Sequence, residues 1–174
     1  MNLYGEKVVL RAIELEDRQL LLDMINDPDT ERMIGGFSFP VSALNQARWI
    51  ENLQNNNGCL RCIVAAKEQP EKGLGTVILS DMDMKNGIAQ AHIKMAVSEA
   101  RGKGYGTDAL RTLVRYAFRE LRLHCVYAEV LEYNTASRRL FEKCGFQQDG
   151  VLRGRVFKDG AYINVIPYSV LNLG

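Results

Sequence analysis

The sequence is poor in the residues that metal, redox and membrane proteins rely on. Its 174 residues include two histidines, four cysteines and one tryptophan. No apolar run approaches the roughly 20 residues that a membrane-spanning helix needs. The formal net charge is +1, so the total charge indicates neither a nucleic-acid nor a membrane partner. Because no hydrophobic stretch precedes a small-residue cleavage site near the N-terminus, we expect no signal peptide and a cytoplasmic protein.

One cysteine pair, Cys59 and Cys62, has the C-x-x-C spacing of zinc and redox sites. There is no second such pair, and Cys62–Ala66 has the pattern of a β-strand. Residues three apart on a strand point to opposite faces, so the two thiols are poorly placed to hold one metal ion. We therefore predict no metal site and interpret both cysteines as small buried apolar residues; zinc or redox chemistry is the minor alternative.

The composition, 47% apolar and 25% charged, is ordinary for a globular protein, and the length suits a single domain over residues 1–174. The segment Thr30–Val41 is predicted to be irregular. Elsewhere, periodicity and turn residues predict alternating strands and helices, and so a mixed α/β sheet with helices on both faces. The predicted strands are Lys7–Ala12, Leu60–Ala66, Gly75–Ser80, Ile88–Val97, Val126–Val130, Val151–Phe157 and Tyr162–Leu171, and the predicted helices are Asp17–Asn26, Ser42–Leu53, one that follows Gly106, and Asn134–Cys144.

The helix after Gly106 has the clearest periodicity in the sequence. Its arginines lie off the apolar stripe and have few aromatic neighbours, so we interpret them as a solvated face and not as a nucleic-acid site. The stripe is Leu110, Leu113, Val114, Ala117, Phe118 and Leu121, and the arginines are Arg111, Arg115, Arg119 and Arg122.

A glycine-rich loop, Arg101–Thr107, separates a predicted strand from this helix. Alternating glycines allow the backbone to approach a ligand closely, and the unpaired N–H groups at a helix N-terminus favour phosphate. The spacing is not that of a Walker A loop, and it fits a dinucleotide fingerprint poorly because Thr107 occupies the last glycine position. After the nucleotide of a Walker A loop and a dinucleotide, the third candidate ligand is the pyrophosphate of coenzyme A. A tight turn that binds no ligand is the alternative.

The loop resembles the R/Q-x-x-G-x-G/A motif of the GNAT superfamily of N-acetyltransferases. A second GNAT signature, N-x-x-S/A-x-x-L-Y/F-E-K-x-G-F, is similar to the segment Asn134–Phe146. The Val-Leu-Arg11 strand followed by Glu16-Asp17 and the hairpin at Asp159-Gly160 also resemble the family, and closest are the ribosomal-protein-alanine (RimJ/RimL-type) and spermidine acetyltransferases. The resemblance implies a mixed, mostly antiparallel twisted sheet with one splayed parallel strand pair.

The resemblance also implies an acetyl-CoA-dependent N-acetyltransferase that transfers acetyl directly to a primary amine in a ternary complex. The acceptor would be a small molecule or a peptide: a protein N-terminus, an amino acid, an amino sugar or a polyamine. A non-catalytic acyl-CoA-binding module is the alternative, and a homodimer is left open. The implied cofactor-binding residues are Met95, Ala96 and Val97 for pantetheine; Arg101, Gly102, Lys103, Gly104, Tyr105, Gly106 and Thr107 for pyrophosphate; and Asn134 and Ser137 on the opposite side of pantetheine.

His92 is the predicted catalytic base, because it lies on the cofactor-binding strand where relatives carry a glutamate. Strand alternation places Lys94 on the same face, and a neighbouring ammonium lowers a histidine pKa and favours the neutral, proton-accepting form. Lys94 also argues against a polycationic acceptor and suits one that carries a carboxylate or phosphate.

Phe141 occupies the position of the family's general-acid tyrosine and cannot donate a proton. Tyr133, Ser137, Tyr162 and solvent remain open as replacements. The acceptor site is expected in Thr30–Trp49 and the C-terminal hairpin, with Phe37, Phe39 and Trp49 either lining it or packed in the core.

Overall fold

In the computed structural model, which describes residues 1–36, 39–53, 58–96 and 102–174, nine strands form one mixed sheet. Their spatial order is β1-β2-β3-β4-β5-β6-β9-β7, and β8 pairs with β9 outside this path. The strands are β1 (Leu3–Tyr4), β2 (Val8–Arg11), β3 (Leu60–Ala66), β4 (Gly73–Asp83), β5 (Ile88–Met95), β6 (Cys125–Leu131), β7 (Gln147–Gln148), β8 (Leu152–Lys158) and β9 (Ala161–Leu171).

Five α-helices accompany the sheet in the described part of the chain: α1 (Arg18–Asn26), α2 (Pro28–Arg32), α3 (Ala43–Glu51), α4 (Tyr105–Arg119) and α5 (Thr135–Lys143). Ser42 caps α3 through the Asn45 amide, and Asn134 caps α5 through the Ser137 amide, as their residue types predict. None of the described helices is both long and apolar enough to cross a bilayer.

The helices pack on both faces of the sheet. The apolar stripe of α4 and Phe141 of α5 join alternate residues of the central strands in the main core, while Leu21 of α1 and Ile50 of α3 cover Ile63 on the other face. Cys62 and Val64, on either side of Ile63, belong to the main core. This alternation is the period of two that a strand imposes. The predicted mixed sheet with helices on both faces is confirmed.

The arginines of α4 lie outside this core, as predicted. Arg111, Arg115 and Arg119 are exposed, and two of them donate to backbone carbonyls: Arg111 to Lys143 at 3.1 Å and Arg115 to Tyr4 at 2.7 Å.

The prediction of an irregular Thr30–Val41 was wrong at its start, because α2 extends through Arg32. Asp27 caps α2 by accepting from the amides of Asp29 and Thr30, and Pro28 occupies its first turn. Proline is well tolerated there, since its missing N–H would have no helical partner. Pro28 therefore begins a second helix directly after the end of α1.

The parallel strand pair β5–β6 divides the sheet. Its register runs from Ile88 opposite Cys125 to Gln90 opposite Tyr127, although β5 continues to Met95 and β6 to Leu131. Every other strand pair in the described chain is antiparallel. The two strands thus pair at one end and separate beyond Gln90, which is the predicted splay.

Candidate active site

The free edge of β5 is the first component of the site. The Ala96 amide donates to the Leu74 carbonyl at 2.8 Å, so the backbone groups of Ala96 face β4. Strand alternation then turns the backbone groups of Ile93 and Met95 towards the separated β6. Of the predicted pantetheine-binding residues, Met95 therefore faces the opening, the Ala96 amide is used within the sheet, and Val97 lies outside the described residues.

The glycine loop is the second component. Gly102 and Gly104 both have φ of +79°, in the left-handed region, and Gly104 is the N-cap of α4. The helix begins at Tyr105, so the amides of Tyr105, Gly106 and Thr107 lie in its first turn, where no intrahelical acceptor exists. This arrangement fits an anion such as pyrophosphate. Arg101 lies outside the described residues.

The start of α4 is attached to the N-terminal strands. Asp108 accepts hydrogen bonds from the amides of Glu6, Lys7 and Val8 at 3.0, 2.7 and 3.0 Å. Burial disfavours its charged form, but these three bonds and the nearby Arg115 lower the pKa of Asp108 overall. The carboxylate therefore stays ionised and fixes the position of the loop.

Lys7 adds a cation that sequence reasoning missed. Its Nζ donates to the Lys103 carbonyl at 3.0 Å, 96 residues along the chain. A Cβ built on Gly104 would lie 3.1 Å from the same nitrogen. The ammonium thus lies against the loop at the start of α4. Nothing local in the sequence around Lys7 signals this contact.

Gly106 lies where β5, α4 and α5 meet. A Cβ at this position would be 3.0 Å from Leu140 Cδ1, 3.6 Å from Met95 Cγ and 3.8 Å from Ile93 Cδ1. The contact with Leu140 is tighter than an ordinary side-chain contact, so a side chain at position 106 would require Leu140 to shift by a few tenths of an ångström. The glycine therefore keeps the helix N-terminus close to the free edge of β5.

The N-terminus of α5 is occupied by contacts with the segment after α2. Asn134 Oδ1 accepts from the Ser137 amide at 3.2 Å, while Nδ2 donates to the Met33 carbonyl at 3.1 Å. The Tyr133 hydroxyl donates to the Arg32 carbonyl. The predicted reach of Asn134 to pantetheine stays a prediction; the bond to Met33 uses one of the two Nδ2 hydrogens.

Phe141 is buried in the core, with 3% of its surface exposed. Its ring lies edge-on to Phe146, with 4.9 Å between centroids, and is stacked on Tyr168 at 6.4 Å. The Tyr168 hydroxyl accepts from Arg138 at 3.1 Å and donates to Glu142 at 2.9 Å. Phe141 therefore has a packing role in this protein.

His92 and Lys94 lie on the face of β5 away from the main core, as alternation predicted, since Ala91, Ile93 and Met95 contribute to that core. His92 is opposite Ile78 of β4, and Ile78 is opposite Arg61 of β3. The Arg61 guanidinium in turn lies 5.9 Å from the centre of the Trp49 ring. The cross-strand neighbours Ile78 and Arg61 thus connect His92 to Trp49 on α3.

The surroundings of His92 favour its neutral form. Burial is the largest cause that lowers its pKa below 6.5, followed by the Lys94 ammonium; Asp81 acts in the opposite direction and Arg61 in the same one. Burial also lowers the pKa of Lys94. The predicted effect of Lys94 on His92 therefore has the right direction, although desolvation contributes more.

The hairpin β8–β9 holds the segment after α2. Lys158 Nζ donates to the Glu31 carboxylate, to the Glu31 carbonyl at 3.0 Å and to the Gly36 carbonyl at 2.8 Å. Its side chain is 9% exposed. Lys158 thus ties the hairpin to Glu31 and Gly36, which lie in the region where the acceptor site was expected.

The described aromatic residues that were candidates for the acceptor site are not in the core. Phe39 is 72% exposed and Trp49 43% exposed, which leaves both accessible to a ligand. Phe37 lies outside the described residues.

The C-x-x-C pair has no metal-site geometry. Cys62 belongs to the main core, where burial raises the pKa of its thiol to about 11, and Cys59 is half-buried at the start of β3. Within the described ranges no group of three histidine, cysteine or acidic side chains is placed to hold a metal ion. Cys62 therefore packs as a small apolar residue.

Comparison with known proteins decides the family. Residues 7–147 match the model of the acetyltransferase (GNAT) domain. The chain belongs to the GNAT acetyltransferase family. It is 35% identical to the SPbeta prophage-derived uncharacterized N-acetyltransferase YokL of Bacillus subtilis (strain 168), over 95% of this chain and 90% of that protein. It is also 28% identical to the spermidine N(1)-acetyltransferase of Vibrio cholerae, over 92% and 91% of the two chains.

The fold of this GNAT protein is that of solved relatives. A Vibrio cholerae spermidine N-acetyltransferase in complex with CoA and spermine superposes with a TM-score of 0.84 at 24% identity, covering 94% of this chain and 95% of the other. The family match confirms an N-acetyltransferase with acetyl-CoA as its cosubstrate.

Replacing Gly104 by valine is expected to weaken coenzyme A binding by about 10-fold or more. A branched residue at positive φ costs about 1–3 kcal/mol, and its side chain would displace Lys7 and block the approach of phosphate. Isothermal titration calorimetry with coenzyme A measures the effect.

Gly145→Val is the matched control for Gly104→Val. Gly145 has φ of +87° at the end of α5, and a Cβ there would meet nothing within 4 Å. It should lower stability without changing coenzyme A affinity. Wild-type affinity in a folded Gly104→Val protein would contradict the assignment of the loop.

Proposed function

We propose that this enzyme transfers the acetyl group of acetyl-CoA directly to a primary amine in a ternary complex, with His92 as the general base. The observation that carries the proposal is the position of His92. It is a half-buried imidazole with a lowered pKa, on the strand whose edge opens where β5 and β6 separate. Neutral imidazole at that place accepts the proton that an ammonium must lose before it attacks a thioester.

The binding roles follow from the same geometry. The first-turn amides of α4, with Lys7 and Lys103 beside them, would hold the pyrophosphate. The backbone of Ile93 and Met95 would pair with the amides of pantetheine, as a peptide pairs with a sheet edge. Acetyl-CoA supplies the acetyl group as a thioester, and the remaining steps depend on residues that orient the amine and accept its proton.

The leaving thiolate has no tyrosine at position 141 to protonate it. Tyr133 directs its hydroxyl to a backbone carbonyl, and Tyr162 is 74% exposed on the hairpin. A thiol such as that of cysteine has a pKa of about 8.5, so a thiolate is a tolerable leaving group near neutral pH. We propose that it leaves as the anion and is protonated by solvent.

The charges around His92 favour an acceptor that carries an anionic group near its amine. Arg61 and Lys94 both act on His92 as cations, whereas Asp81 is the single anion that acts on it in the described residues. A peptide, an amino acid or an amino sugar nucleotide meets this requirement better than a polyamine does. A cytoplasmic location, a homodimer and the absence of nucleic-acid and membrane partners stay predictions.

A panel of amines tests the proposal. Acetyl-CoA consumption would be followed with mass detection of the products for spermidine, spermine, free amino acids, N-terminal peptides and amino sugar nucleotides. We expect the highest kcat/KM for an amine with a nearby carboxylate or phosphate. Higher kcat/KM for spermidine than for all of the anionic amines would refute the acceptor class and leave the reaction type intact.

A further inference from the structure

A hydrogen-bonded chain connects His92 to two residues of β4. The Ser80 Oγ lies 2.8 Å from His92 Nε2 and 2.8 Å from Asp81 Oδ2. His92 and Ser80 are half-buried, while Asp81 is exposed. Three side chains therefore form a line that ends on one specific nitrogen of the imidazole.

The positions of the hydrogens in this hydrogen-bonded series follow from how many hydrogens each group can donate. A serine hydroxyl has one proton to donate, and a carboxylate can only accept. If the hydroxyl pointed at His92, two oxygens with lone pairs would face each other at 2.8 Å between Ser80 and Asp81. The hydroxyl therefore donates to Asp81, and His92 Nε2 carries a hydrogen that it donates to Ser80.

A backbone irregularity makes the chain possible. On a regular strand, Ser80 and Asp81 would point to opposite faces of the sheet. The β4–β5 register shifts between Ser80 and Asp83, and Asp81 has φ of +50°. Such a bulge redirects side chains, and aspartate is among the residues that tolerate positive φ. The bulge brings the Asp81 carboxylate to the hydroxyl of its neighbour.

We propose that Ser80 and Asp81 are positioning residues that hold His92 in its Nε2–H tautomer, so that Nδ1 is the atom that takes the proton of the acceptor amine. This inference rests on the proposed base role of His92. The acceptor ammonium gives one proton to Nδ1, and the lone pair that this frees forms the bond to the acetyl carbon. The electron pair of the broken C–S bond leaves on sulfur, and the second proton that nitrogen loses on becoming an amide passes to solvent, which in turn protonates the thiolate. The Nε2–H···Ser80 bond is present in both the neutral and the protonated imidazole. The ring can therefore take up and release a proton at Nδ1 without changing its orientation.

The charge of Asp81 has a separate effect. Among the described residues, the charged groups that act on His92 are Lys94 on its own strand, Asp81 on β4 and Arg61 on β3, and of these Asp81 alone raises the pKa of the imidazole. Asp81→Asn keeps an oxygen that accepts from Ser80 but removes the charge. It should therefore move the ascending limb of the rate–pH profile to lower pH.

The tautomer is tested by ¹⁵N NMR of the protein labelled at histidine, with His92→Ala for assignment. Above the His92 pKa we expect the wild-type protein and Ser80→Thr to show Nε2–H, and Ser80→Ala to show a mixture of tautomers. A predominant Nδ1–H form in the wild-type protein, or an unchanged Nε2–H form in Ser80→Ala, would overturn the proposal.

Kinetics give the second readout. Ser80→Ala should lower kcat by about 10-fold, as loss of an orienting partner does elsewhere, with KM for acetyl-CoA unchanged and Ser80→Thr close to wild type. Full turnover in a folded Ser80→Ala, alongside a large loss in His92→Ala, would overturn the positioning role. Full turnover in His92→Ala would instead overturn the base role of His92. If the wild-type protein still showed the Nε2–H tautomer and Ser80→Ala a mixture, the base role would have failed while Ser80 still oriented the ring.

Discussion

Replacing His92 by alanine is expected to lower kcat by about 100-fold or more, the usual loss when a general base is removed. Coenzyme A affinity should stay the same, because the cofactor contacts proposed for β5 are made by its backbone. Steady-state kinetics with the best acceptor of the amine panel, together with calorimetry, measure both quantities. His124, which is exposed and follows α4, provides the control: His124→Ala should keep wild-type turnover.

The pH dependence distinguishes a base from a structural histidine. A base works in its neutral form, so turnover rises as pH increases through the His92 pKa. Because burial and Lys94 lower that pKa, the ascending limb should lie below pH 6.5 in the wild-type enzyme and disappear in His92→Ala. Lys94→Met should move the limb upward, but not past 6.5, since the larger effect of burial remains. An unchanged profile in His92→Ala would refute the base role.

Replacing Arg11 by methionine is expected to lower the free energy of unfolding by about 3–5 kcal/mol, because it leaves a buried carboxylate without its countercharge. The Arg11 guanidinium binds both oxygens of Asp17 at 2.8 Å, and Asp17 is only 4% exposed. Nε of Arg11 also donates to the Pro70 carbonyl at 2.6 Å. Urea denaturation measures the loss.

Arg32→Met is the matched control for Arg11→Met. The Arg32 side chain is 57% exposed, and its distances to Asp29 and Asp159 are 3.7 and 3.6 Å, so its removal should cost less than about 1 kcal/mol. The double variant Arg11→Met/Asp17→Asn should recover part of the stability, since it removes the unpaired charge. A loss below 1 kcal/mol for Arg11→Met would show that the pair contributes little.

Sequence patterns predicted the parts of this protein that depend on neighbours along the chain. Strand Leu60–Ala66 was predicted at its observed bounds, because turn residues precede and follow an apolar run. The Asn134 cap and the glycine at the end of α5 likewise follow from local backbone geometry. The family signature that contains Arg11 and Asp17 can now be explained as a buried ion pair.

The parts that the sequence did not predict depend on contacts between distant segments or on strand register. Lys7 reaches the glycine loop across 96 residues, and no periodicity records such a contact. Asp81 reaches the Ser80 hydroxyl, and through it His92, only because the β4–β5 register shifts after Ser80. Since a bulge changes which side chains share a face, strand alternation alone gives the wrong neighbours there.

The attachment of Asp108 has a consequence for the order in which the protein assembles. Its three hydrogen bonds connect residues that lie 100 to 102 positions apart. A contact between such distant segments closes a long loop, whose entropic cost must be met before the contact contributes any stability. Helix α4 forms from local interactions, but its N-terminus acquires its fixed position only after the first strands have joined the sheet. We therefore expect the proposed phosphate site to be completed late in folding, although the loop that would present its amides is contiguous in the sequence.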